Sequence, residues 1–103
     1  MKKQKTKKAT RKIQILIVDD SKVTRTTLKQ LCDSISSVLV IGEAKHGLEA
    51  LSAIRLLKPD VITLDIRMPL MNGIEVLRAM RQERLDCIVI VLSLIGEEIY
   101  RRK

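Results

Sequence analysis

Four residues carry the chemistry this sequence can be expected to perform: the acidic pair Asp19-Asp20, the single acid Asp65 and the hydroxyl of Ser93. Each stands directly after a short apolar run, at Ile13 to Val18, Val61 to Leu64 and Ile88 to Leu92. Runs of this length, rich in Ile, Val and Leu, read as strands buried on both faces, the kind that build parallel sheets. Parallel strands bring all their carboxyl ends to one edge, and ligands bind at that edge where the strand order reverses. The spacing therefore predicts three carboxylates and one hydroxyl side by side. Ionised carboxylates held together repel one another, and a hard divalent cation with oxygen ligands removes that cost. Few protein ligands, with room left for water, favour Mg2+. Taken singly, an acid after a strand is often only a helix cap or a solvated loop end, so Asp20 or Ser21 could be no more than that, and Asp65 alone is divided between cap and site. The joint pattern is more demanding. It needs an acidic pair at one strand end, an acid at another, Met68-Pro69 three and four residues later, and Gly73 at the eighth.

The elements that must position these residues follow from the apolar periodicity. Ser21 is a plausible N-cap for a helix carrying Thr24, Leu28, Leu31 and Ile35 on one face. Val38 to Ile41 reads as a second strand and Gly42 to Gly47 as a connection. Leu48, Leu51, Ile54 and Leu57/Lys58 give a second helix, which Pro59 stops. Pro69 and Asn72-Gly73 give the segment after Asp65 turn chemistry. Ile74, Leu77 and Met80/Arg81 begin a third helix that closes near Arg84, and Gly96 to Lys103 starts a further one. Strands and helices alternate throughout, which defines an α/β fold with a parallel sheet and helices on both of its faces.

Charge and composition narrow the function classes. The chain has 103 residues and a formal charge of +8. Seven basic residues and no acid occupy positions 1–12, so this stretch reads as a disordered basic arm and 13–103 as the domain. A polybasic arm attracts nucleic acid or an anionic surface without sequence preference, and a solvated tail is the plainer reading. Tyr100 is the sole aromatic residue, so base stacking has no platform and nucleic-acid binding is disfavoured. Cys32 and Cys87 lie far apart without metal-ligand spacing and read as reduced core thiols. No run approaches the ~20 apolar residues of a membrane span. A cytoplasmic location is the expectation. The single histidine, His46, reads as an exposed loop residue.

Leu16-Ile17-Val18-Asp19-Asp20-Ser21 and the stretch from Pro59 through Asp65 to Gly73 resemble the receiver domain of two-component response regulators. Val61 to Asp65 and Val91 to Gly96 are most similar to the receiver of chemotaxis protein-glutamate methylesterases. The resemblance implies a flavodoxin-like, doubly wound sheet with strand order 2-1-3-4-5. It also implies that Asp65 accepts a phosphoryl group from a phosphohistidine of a sensor histidine kinase. Asp19, Asp20, Asp65 and the backbone carbonyl of Arg67 would hold Mg2+. Ser93 would donate a hydrogen bond to the phosphoryl group, although alignment on the apolar run puts Leu92 in that slot instead. Pro69 and Gly73 would shape the loop.

Against this pattern the chain stops before a fifth strand, its lysine and a fifth helix. The expectation is an order 2-1-3-4, self-association through the exposed edge of the fourth strand, and a C-terminal effector domain missing from this chain. No Gly-x-Ser-x-Gly is present, so self-phosphorylation is the only catalysis expected of the chain itself, while a parent protein could be a methylesterase. A phosphatase-like reading would need a general acid two residues after Asp65, where Arg67 stands.

Overall fold

A computed structural model of the chain describes residues 11–92. The basic arm up to position 10, Ser93, and the helix expected from Gly96 lie outside the described residues. The elements are β1 (Ile13–Val18), α1 (Lys22–Asp33), β2 (Val38–Ala44), α2 (Gly47–Leu57), β3 (Val61–Asp65), α3 (Gly73–Gln82) and β4 (Ile88–Leu92). The strands pair in parallel in the order β2-β1-β3-β4, as the resemblance implied. The chain steps one way from β1 to β2 and the other way from β2 to β3 and from β3 to β4. Right-handed crossovers then place α1 on one face of the sheet and α2 and α3 on the opposite face.

Side-chain alternation along the strands decides what each face buries. Leu16 and Val18 of β1 pair in register with Ile62 and Leu64 of β3. These four join Ala50, Leu51 and Ile54 of α2 and Val76 and Met80 of α3 in the core, with Ala44 and Met68 closing its upper end. The other face is thinner. α1 lies over β1 and β2 and has no fully buried residue. Leu31 and Ile35, expected on its buried face, are exposed. The helix ends at Asp33 with Ser34 as its cap, so Ile35 lies beyond it.

The other departures are shifts of phase or length. β2 runs three residues beyond Ile41, because after a register shift between Ile15 and Leu16 the strand re-pairs at Gly42, Glu43 and Ala44. Gly42 does not break it: a Cβ there would meet Leu57 Cδ1 at 2.9 Å, so the strand passes close beneath the end of α2. α2 buries Gly47, Ala50, Leu51 and Ile54 and leaves Leu48 exposed, one position off the expected stripe. α3 likewise buries Gly73, Val76 and Met80, leaves Ile74 exposed, and ends at Gln82. His46 is not an exposed loop residue. It is half-buried and caps α2, its Nδ1 accepting from the Glu49 N–H at 3.2 Å. Cys32 and Cys87 are half-buried free thiols, and of the two Cys87 packs against the core. Burial beside Asp33 pushes the Cys32 thiol up, and burial beside Asp86 does the same for Cys87.

Candidate functional site

The carboxyl edge of the sheet gathers the acids. β1 delivers Asp19, which is buried and held at both ends. Its N–H donates to the Ala44 carbonyl at 3.0 Å, continuing the β1–β2 pairing, and its Oδ1 accepts from the Ser21 N–H at 2.8 Å. Ser21 in turn caps α1 by accepting from the Thr24 N–H, so one short turn both starts the helix and fixes the aspartate. Asp20 follows and is exposed. Asp65 is the last residue of β3, half-buried, with Oδ1 accepting from the Arg67 N–H at 3.1 Å. One carboxylate oxygen from each of Asp19, Asp20 and Asp65 lies within 4.8 Å of the other two.

The electrostatics match that crowding. The Asp65 carboxyl is pushed above its ordinary value chiefly by desolvation; the Arg67 N–H pulls it back down, and the neighbouring charges of Asp19 and Asp20 add smaller upward pushes. Three carboxylate oxygens at this spacing form a donor set suited to a small hard cation. The residues present fit Mg2+.

The segment from β3 to α3 closes the edge. Gly73 is packed so tightly that a Cβ would lie 2.8 Å from both the Asp65 carbonyl oxygen and Ile66 Cα, and its N–H donates to the Ile66 carbonyl. The start of α3 therefore rests directly on the backbone of Asp65. Between them, Met71 N–H donates to the Pro69 carbonyl and Leu70 takes a left-handed φ of 69°. The Arg67 side chain is exposed. Leu92 pairs with Asp65 across β3 and β4, so it ends the described strand beside that aspartate, and Ser93 is the next residue in the chain. A separate hollow of about 200 Å3, lined by Ile54, Lys58, Pro59, Arg84, Leu85 and Asp86, opens at the opposite edge of the sheet, away from the acids.

Two features were not singled out from the sequence. Arg25 of α1 reaches back to the Asp19 carbonyl, and Asn72 begins α3 with a reciprocal cap to Glu75. The Asn-x-x-Glu spacing was a readable signal for the second. Nothing local marks the first.

Four parallel strands in the order 2-1-3-4, with three helices and an acidic cluster at the carboxyl edge, define a receiver domain. The chain belongs to the response regulator receiver domain family, whose profile matches residues 15–103. It is 42% identical over 87 residues to a protein-glutamate methylesterase/protein-glutamine glutaminase of Clostridium acetobutylicum, covering 84% of this chain and 25% of that protein. The protein of the same description from Thermotoga maritima is 46% identical over 87 residues, with the same coverage. The chain thus spans about a quarter of the length of these curated relatives. Among solved structures, the response regulator domain of Thermotoga maritima CheB superposes with a TM-score of 0.77 at 47% identity, covering 81% of this chain and 61% of that one. The receiver domain of a response regulator NarL from Mycobacterium tuberculosis gives 0.78 at 36% identity, covering 82% and 68%. No described helix is long and apolar enough to cross a membrane.

Proposed function

We propose that this receiver domain accepts a phosphoryl group on Asp65 from a phosphohistidine of a sensor histidine kinase. Asp19, Asp20, Asp65 and the backbone carbonyl of Arg67 would hold Mg2+. The observation that carries the reading is the convergence of the three carboxylates within 4.8 Å at the edge where strand order reverses. In the transfer an Asp65 oxygen bonds to phosphorus as the histidine N–P bond breaks, the bonding pair leaving with the imidazole nitrogen. Asp65 must be ionised to attack, and its surroundings oppose that. Mg2+, when bound, supplies the positive charge that reverses this opposition and offsets charge on the phosphoryl oxygens. Asp19, fixed by Ala44 and Ser21, is the rigid wall of the site. Ser93, or Leu92 by the alternative register, would face the transferred group, and only Ser93 could donate a hydrogen bond to it.

The relatives extend the reading to a whole protein. We infer that residues 13–103 act in the cytoplasm as the receiver of a methylesterase-type chemotaxis regulator, with a C-terminal effector domain as the partner it controls.

Thermal unfolding in Mg2+, with and without beryllofluoride as a phosphoryl mimic, tests the site. The mimic should raise the Tm of the unsubstituted chain and leave Asp65→Asn unmoved. An equal rise in both would remove Asp65 from the acceptor role.

A further inference from the structure

The geometry points to Arg25 as a positioning residue for the cation site, acting through the Asp19–Asp20 peptide unit; this rests on the Mg2+ reading above. Arg25 lies in the first turns of α1, and its side chain is only 13% exposed. Its Nη1 donates to the Asp19 carbonyl at 2.8 Å while its Nε donates to Glu43 Oε1 at 3.0 Å. That carbonyl lies between two ladders. β1 ends at Val18, and the first helical bond of α1 runs from the Arg25 N–H to the Ser21 carbonyl, so neither element supplies the Asp19 oxygen with a donor.

The peptide plane explains why this one bond matters. The Asp19 carbonyl and the Asp20 N–H belong to the same rigid unit. Fixing the oxygen fixes the direction in which the chain enters Asp20, and so where the exposed Asp20 carboxylate is presented. Asp19 needs no such help, because Ala44 and Ser21 already hold it. Nor does Glu43 need Arg25 for neutralisation, since Lys29 Nζ reaches its other oxygen at 3.0 Å. Both cations hold the Glu43 carboxyl below its ordinary value, the Lys29 bond contributing most. Glu43 thus aims the guanidinium from β2, and the guanidinium aims the Asp19–Asp20 turn. The fork geometry suits arginine, because a single ammonium cannot span two acceptors on different elements with the same fixed plane.

The test is Mg2+ affinity measured by calorimetry on the 103-residue chain, with urea unfolding of each variant as the control for folding. Arg25→Ala should weaken Mg2+ about tenfold, the lower end for loss of a group that orients a metal ligand. Added methylguanidinium should restore part of that affinity. Unchanged affinity in folded Arg25→Ala would overturn the assignment. Should Arg25→Ala show no cooperative unfolding, Arg25→Lys decides: weakened Mg2+ binding in a folded variant supports it and unchanged binding overturns it. Absence of Mg2+ binding in the unsubstituted chain would overturn the cation reading itself, and this one with it.

Discussion

Asp65 is held by its surroundings closer to its protonated form than a free aspartate is, chiefly through burial and then through Asp19 and Asp20. This has a sign for stability. A carboxyl whose folded pKa lies above its unfolded value binds protons more tightly in the folded state, so stability falls as pH rises from the unfolded value through the folded one. In the absence of Mg2+, Asp65 therefore costs stability at neutral pH, and Asp65→Asn should stabilise the metal-free chain there but not at low pH. Urea unfolding in EDTA across that range measures it, and an identical pH slope in both chains would show that the acids do not strain one another. Mg2+ should reverse the order at neutral pH, favouring the unsubstituted chain. The acids themselves were legible in the sequence because each ends an apolar run, and a run's end fixes a place in a parallel sheet. Arg25 was not, because a helix side chain reaching back to a carbonyl leaves no periodic trace.

At the scale of elements, the helix starts are built from the same turns that shape the site. Ser21 caps α1 beside Asp19, His46 caps α2 at the end of β2, and Asn72 caps α3 against the backbone of Asp65. A Cβ on Gly47 would fall 2.4 Å from the Met71 carbonyl oxygen, so the start of α2 is pressed against the segment that closes the site. In α3 both halves of the cap are made: the Glu75 N–H donates to Asn72 Oδ1 at 2.9 Å and the Asn72 N–H to Glu75 Oε1 at 3.0 Å. Asn72→Ala should cost about 1 kcal/mol of stability, the usual loss for an N-cap. It should also weaken Mg2+, because Gly73 transmits fraying of α3 to Asp65. A stability loss with unchanged Mg2+ affinity would separate the helix start from the site. The existence and order of the elements were readable from alternation of runs and turns. Their phases were less so: Leu48 and Ile74 are apolar residues on solvent faces, and a count of apolar positions does not say which stripe meets the sheet. The length of β2 was hidden because Gly42 and Glu43 interrupt its apolar run while its backbone continues to pair.

At the scale of the whole molecule, the described residues cover the two faces of the sheet unevenly. α2 and α3 close one face of the sheet over a continuous core, whereas α1 reaches only β1 and β2 on the other. Register places Ile88 and Ile90 of β4 level with Val61 and Thr63 on that second face. Ile88 is 65% exposed, Ile90 47% and Val91 44%, and the outer edge of β4 has no strand neighbour among the described residues. The Thr63 hydroxyl beneath them is buried without a partner among the described residues. An apolar strand with free N–H and C=O groups on one side is a template for pairing with another chain. The 103-residue polypeptide should therefore associate as its concentration rises through the micromolar range, as sedimentation velocity would show. Ile90→Lys should shift it toward monomer, because a charge on an exposed edge strand opposes pairing without removing a core side chain. It should leave Mg2+ binding intact, since Asp65 and its two neighbours sit at the strand ends and not along the edge. A monomer across that range, with β4 unsubstituted, would mean that the edge is covered by chain outside the described residues.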